Sequence, residues 1–78
     1  MTEEQIYVLA LNLYVQANKE GSASAELNGH YIYFHAERNR YYLRIFKNGV
    51  TTYKEEFSPN DSIVACIKTV LEKKCAVK

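Results

Sequence analysis

The residues with the most chemistry to offer are two histidines and a pair of adjacent glutamates. His30 and His35 lie five positions apart in a run typical of a β-strand, where such side chains point to opposite faces. They therefore cannot hold one metal ion from the same strand. Glu55 and Glu56 are neighbours in a second such run, so their carboxylates diverge and do not form an acid–base pair.

The cysteines indicate a reduced protein. Cys75 follows Cys66 by nine residues, which is roughly 13 Å along a helix at about 1.5 Å per residue. A disulfide needs Cα atoms within about 7 Å. The acidic start of the chain, Met1 to Glu4, is unlike a secretory signal. Together these features predict a cytoplasmic location.

Known catalytic patterns do not occur in the sequence. It contains no HExxH or CxxC motif, no glycine-rich phosphate loop and no GxSxG elbow. His35 near Tyr33, Tyr42 and Arg44 imitates a general-base site, but the expected surface is flat or convex, whereas active sites are concave. We therefore expect no enzymatic activity, no metal site and no cofactor.

Length and composition predict one small globular domain over residues 1–78. The chain is 47% hydrophobic and 24% charged, and its net charge is +1. This balance excludes a disordered tail and lacks the basic excess of a dedicated duplex-DNA binder. No apolar run approaches the roughly 20 residues of a membrane span, so we expect no membrane partner.

Two segments have the spacing and the end signals of helices. The first runs from Glu3 to about Lys19, and Thr2 and Gln5 have the spacing of a capping box before it. The second is predicted to begin with Ser58 as its cap and Pro59 at its first position. Its predicted buried face consists of Ile63, Cys66, Ile67, Val70 and Leu71.

Between the helices the hydrophobic period changes to two, as in strands. Asn28–Gly29 and Asn48–Gly49 predict hairpins, since both residue types tolerate the positive φ of a type I′ turn, and Glu37–Arg40 is a third turn. Strands are predicted at 22–27, 30–36, 41–47 and 50–57; the first contains Ser-Ala-Ser-Ala, a poor strand former. The predicted fold class is α+β, a single antiparallel four-stranded meander sheet with the N- and C-terminal helices packed on one face (α-β-β-β-β-α).

Strand alternation leaves an aromatic surface on the side of the sheet away from the helices. Aliphatic side chains such as Ile32 and Leu43 point toward the helices, and the positions between them point away. Tyrosine and arginine are enriched where binding energy concentrates in interfaces. Cross-strand aromatic pairs also stabilise a sheet without any ligand, by roughly 0.2–1 kcal/mol each.

We expect this surface to bind another protein, in an accessory, regulatory or inhibitory role of the kind that small phage and mobile-element proteins fill. The alternative is single-stranded RNA or DNA, because residues 38–54 carry five basic residues and no acid beside rings that can stack on bases. The predicted binding residues are Tyr31, Tyr33, His35, Arg38, Arg40, Tyr42, Arg44 and Phe46.

The first helix is apolar around more of its circumference than packing on a sheet requires. Ile6, Ala10 and Leu13 form one apolar strip, and other apolar residues continue beyond it. Complete burial within one subunit would account for this width, and the functional alternative is a homodimer. The residues predicted to associate with a second copy are Tyr7, Leu11 and Tyr14.

Overall fold

The computed structural model describes residues 2–75, and these residues have the predicted order of elements. The helices are α1 (Glu3–Glu20) and α2 (Ile63–Lys74), and the strands are β1 (Ser22–Leu27), β2 (His30–Glu37), β3 (Arg40–Lys47) and β4 (Val50–Phe57). The strands form one antiparallel sheet in the order β1-β2-β3-β4, which confirms the α+β meander. Within residues 2–75, no helix has the length and apolar character needed to cross a membrane.

The ends of α1 follow the predicted chemistry. The Thr2 hydroxyl accepts a hydrogen bond from the Gln5 N–H at 3.1 Å, and the Gln5 side chain accepts one from the Thr2 N–H at 2.8 Å. At the other end, Gly21 has a φ of +93° and its N–H donates to the Ala17 carbonyl. A positive φ at this position favours glycine, which has no Cβ to clash.

The hairpin turns also form as predicted. Asn28 and Asn48 have φ angles of 52° and 54°, and each is followed by a glycine with positive φ. This is the backbone of a type I′ turn, whose twist matches that of the strands it joins. Arg38 and Asn39 form the two-residue turn between β2 and β3. These turns fix the register of the sheet.

The second helix begins later than predicted. Ser62 precedes its first residue, Ile63, and Ser58 lies in a separate turn. In that turn the Asp61 carboxylate accepts a hydrogen bond from the Ser58 N–H at 2.9 Å, and the Ser58 hydroxyl accepts one from the Asn60 N–H at 3.2 Å. The prediction that Ser58 caps α2, with Pro59 at its first position, was therefore wrong. Ser58 and Asp61 have side chains that bond the backbone of a turn as readily as that of a helix end.

The core lies between the two helices and one face of the sheet. β1 forms a strand although its sequence has low β-propensity, because Ala23 and Leu27 pack into this core. Ala23 lies opposite the fully buried Phe34. α1 packs against α2 and lies over β1 and β2. The core residues from the helices, from the residue that follows α2 and from the two central strands are Ile6, Ala10, Leu13, Ala17, Ile63, Ile67, Leu71, Cys75, Ile32, Phe34, Leu43 and Ile45.

Cys75 is a core residue whose thiol makes stability depend on alkaline pH. It is fully buried, and burial raises the pKa of its thiol from 9.0 to about 11. Above pH 9.0 the unfolded chain releases this proton while the folded chain retains it. The stabilising contribution of the buried thiol should therefore be fully present below this pH. The free energy of unfolding should fall as the pH rises toward about 11.

Urea unfolding of the wild type and of Cys75→Val measures this effect at about pH 8 and about pH 10. We expect the wild type to lose more stability than the variant over this interval. The variant lacks the thiol but retains the lysines and tyrosines that also titrate there. An equal loss in both proteins would contradict the assignment.

Candidate functional site on the uncovered face of the sheet

The candidate site lies on the face of β2 and β3 that the helices do not cover. The strand register places three pairs of outward side chains directly opposite one another: Tyr31 with Phe46, Tyr33 with Arg44, and His35 with Tyr42. We refer to these six residues as the aromatic face. The positions that alternate with them, including Phe34 and Leu43, are fully buried on the helix side. The predicted division of each strand into an inner and an outer set is therefore confirmed.

One end of the aromatic face combines apolar rings with a cation. The rings of Tyr31 and Phe46 have centroids 6.0 Å apart and are tilted by 44°. The guanidinium carbon of Arg44 lies 5.8 Å from the centroid of Phe46, within the range of a cation–π contact. Tyr31 is nevertheless 47% exposed. Cross-strand pairing stabilises these rings and still leaves contact area for a second molecule.

His35 is the centre of a polar cluster at the other end of the face. Its Nδ1 lies 3.5 Å from the Tyr33 hydroxyl and its Nε2 lies 3.2 Å from the Glu37 carboxylate. In a neutral imidazole the hydroxyl donates to Nδ1, and Nε2–H donates to the carboxylate. Burial raises the pKa of the neighbouring Tyr42 hydroxyl above 10.0, and Glu56 and Glu37 raise it further. The raised pKa keeps the Tyr42 hydroxyl protonated, and able to donate a hydrogen bond, further into the alkaline range.

Charges of both signs share this side of the sheet. Glu26 lies opposite Tyr31 in β1, Glu37 ends β2, and Glu56 lies opposite Tyr42 in β4. Glu56 also forms an ion pair with Arg40, whose Nε lies 3.1 Å from Oε2. The outer side of the sheet is therefore not a uniformly basic surface.

Arg44 and Lys54 form an unusual pair at the centre of this side. They lie directly opposite each other in β3 and β4. In the part of the protein that the structure describes, neither forms an ion pair with a carboxylate. Like charges that face each other across a sheet repel. An anionic group placed between these two side chains would relieve the repulsion.

The basic residues that are close in sequence lie apart in the folded chain. Arg38 is in the β2–β3 turn and Arg40 begins β3, whereas Lys47 is at the far end of that strand. Arg44 and Lys54 lie between these ends. The predicted residues Arg38 and Arg40 therefore flank the aromatic face at one end, and Arg40 is already paired with a carboxylate.

A shallow depression crosses the face. It has a volume of about 320 Å³ and is lined by Tyr33, His35, Glu37, Tyr42, Leu43, Arg44 and Lys54. Its open form suits a side chain presented by a partner better than a small molecule, which proteins usually enclose. Within residues 2–75, no group of three or more His, Cys, Asp and Glu side chains is arranged to hold a metal ion.

The residues predicted to self-associate have different surroundings. Tyr7 and Leu11 are exposed on α1. Tyr14 is half-buried, and its ring centroid lies 5.7 Å from that of Tyr41 in β3. Tyr14 therefore extends the core of its own subunit, whereas the other two residues remain open to a second molecule.

No protein-family model matches the sequence, and no curated protein and no solved structure is significantly similar to it. The chain folds as a small α+β protein with a helical layer on one side of its sheet. The other side presents aromatic rings and mixed charges.

Proposed function

We propose that the protein is a small non-enzymatic interaction module that binds another protein through its aromatic face. The observation that carries this proposal is the row of cross-strand rings on a sheet face that neither α1 nor α2 covers. Tyrosine and arginine give large contact area and directed hydrogen bonds at low entropic cost. An accessory, regulatory or inhibitory role in the cytoplasm, as in phage or mobile-element proteins, agrees with the small size and with the two free cysteines.

The charges favour a protein over single-stranded nucleic acid as the partner. A protein that tracks a nucleic-acid backbone needs a continuous positive groove. Here Glu26, Glu37 and Glu56 interrupt the basic residues, and Glu56 already neutralises Arg40. A partner protein tolerates such a mixed surface because its own side chains can present both signs. Nucleic-acid binding through the same face is the alternative outcome of the tests below.

The unpaired cations define the chemistry of the partner. Arg44 and Lys54 face each other beside Tyr33 and Tyr42. A carboxylate between these two cations would form charge-assisted hydrogen bonds, and apolar groups beside it would pack on the rings. We therefore infer a partner surface with an Asp or Glu side chain, or a terminal carboxylate, flanked by apolar residues.

The proposal is tested by capture on the immobilised protein from a lysate of the source organism, with and without nuclease treatment. A specific protein that the wild type retains after nuclease treatment supports the proposal. That protein is then purified for the affinity measurements described below. Retention of nucleic acid alone, or of no specific protein at all, would overturn it.

The charge of the Arg44–Lys54 pair should control the affinity for this partner. We expect the Arg44→Glu/Lys54→Glu variant to bind at least about tenfold more weakly, because two attractive contacts become repulsive. Lys47→Glu is the matched control: it reverses a charge in the same strand but outside the centre of the face, and it should change the dissociation constant less than about threefold. Isothermal titration calorimetry measures both values. Equal effects of the central and the control substitutions would contradict this role.

A further inference from the structure

The outer side of α1 carries an apolar stripe that the proposed function does not use. Tyr7, Val8, Leu11 and Val15 are exposed by 45%, 48%, 36% and 54%. They are four of the six large hydrophobic residues that are exposed within residues 2–75, and all four come from one helix. The core residues of α1 lie on its other side, so the stripe takes no part in packing the domain.

The stripe has the residue spacing of a coiled-coil seam. Within the stripe, Val8, Leu11 and Val15 follow one another in steps of three and four residues, and the polar Glu4 and Asn18 continue these steps at its two ends. Val8, Leu11 and Val15 therefore lie on one narrow strip of the helix, as apolar residues do where two helices pack side by side. A single helix face of this kind packs by interlocking its side chains with those of a second such face. Its spacing therefore points to another helix as the occupant.

The charges at the two ends of the stripe make it complementary to itself. Glu4 lies near its N-terminal end and Lys19 at its C-terminal end, and both are exposed. Among residues 2–75 neither forms an ion pair, whereas the adjacent Glu3 lies 3.6 Å from Lys68 of α2. Two copies that run antiparallel would bring the acid of each copy to the base of the other. A twofold axis, the commonest symmetry of soluble dimers, produces this arrangement.

We propose that the protein forms a reversible homodimer in which the α1 helices of two copies pack antiparallel. With the twofold axis near Leu11 and Asn12, Val8 of one copy lies opposite Val15 of the other, and Glu4 lies opposite Lys19. Four apolar side chains per copy are far fewer than the roughly 20–30 residues per side of a stable interface, so the dimer should form at micromolar or higher concentrations. The aromatic faces stay free, because they lie on the other side of each subunit.

Sedimentation equilibrium over a concentration series to about 1 mM tests the dimer. We expect the wild type to change from monomer to dimer, and Leu11→Glu and Val15→Glu to remain monomeric with an unchanged circular dichroism spectrum. Val15 is the most exposed member of the stripe, so its substitution tests the interface even if Leu11→Glu perturbs the fold. A wild type that is monomeric throughout the series, or a Val15→Glu variant that dimerises as strongly as the wild type, would overturn the proposal.

A charge exchange tests the antiparallel arrangement. Glu4→Lys alone should weaken the dimer roughly five- to tenfold, because both symmetry-related pairs become repulsive, and Glu4→Lys/Lys19→Glu should restore it. In a parallel dimer Glu4 of one copy would lie near Glu4 of the other, so the single substitution would exchange one like-charged pair for another and would have little effect. That result would overturn the arrangement. Binding of the partner by monomeric Val15→Glu reports separately on the aromatic face.

Discussion

Replacement of Phe34 by alanine should lower the free energy of unfolding by about 3–5 kcal/mol, the range for large buried aromatic side chains. Phe34 is fully buried in β2 and stacks on Tyr41, with ring centroids 5.5 Å apart. Its removal loses the transfer free energy of the ring and leaves a cavity that neighbouring strands cannot close. Since small domains have total stabilities of about 5–15 kcal/mol, this substitution removes a large part of the total. Urea unfolding followed by circular dichroism measures the change.

The adjacent residue provides a matched control for this prediction. Tyr33 belongs to the same strand and is also aromatic, but its side chain lies on the uncovered face. Tyr33→Ala should cost only about 1 kcal/mol, the contribution of a cross-strand pair. Losses of the same size for both substitutions would contradict the division of β2 into an inner and an outer face.

The second large effect concerns binding. The Tyr33→Ala/Tyr42→Ala variant should bind the partner at least about 30-fold more weakly than the wild type, because truncation of even one central interface residue costs about 2 kcal/mol or more. Both rings line the central depression, beside Arg44 and Lys54. Because both side chains are only partly buried, the variant should remain folded. Isothermal titration calorimetry measures the affinity, and circular dichroism checks the fold.

Tyr7→Ala is the control for that variant. Tyr7 is 45% exposed, close to the 47% of Tyr31, but it lies on α1 rather than on the sheet. Its loss should leave the intrinsic dissociation constant for the partner unchanged within about twofold. If the tyrosine pair and the control had equal effects, binding would have to be assigned to another surface.

Much of the fold could be predicted because local patterns and tertiary packing agree. The two Asn-Gly pairs set the hairpins, and alternation then separated Ile32 and Phe34 from Tyr31 and Tyr33. The start of α2 could not be predicted in this way. Ser58 has the side chain of a helix cap, but it bonds within a turn that Asp61 closes. The side chain of Ser58 can cap a helix or bond the backbone of a turn, and the surrounding structure decides which of the two forms.

The composition of the candidate site could be predicted better than its charge pairing. Alternation placed Arg44 on the outer side of the sheet, but its direct opposition to Lys54 depends on the register of β3 and β4, which includes an irregularity between Ile45 and Phe46. The Arg40–Glu56 ion pair depends on the same register. Basic residues that look like one cluster in the sequence therefore become, in space, one neutralised pair and one open pair.

The most direct test of the aromatic face uses the tyrosine rings themselves. Nuclear magnetic resonance of the protein labelled with ¹³C in its tyrosine rings follows each ring separately as the partner is added. We expect the signals of Tyr31, Tyr33 and Tyr42 to shift on binding, while those of Tyr7 and Tyr53, on α1 and on the helix side of β4, stay in place. Shifts of Tyr7 or Tyr53, with the three rings of the sheet face unchanged, would contradict it.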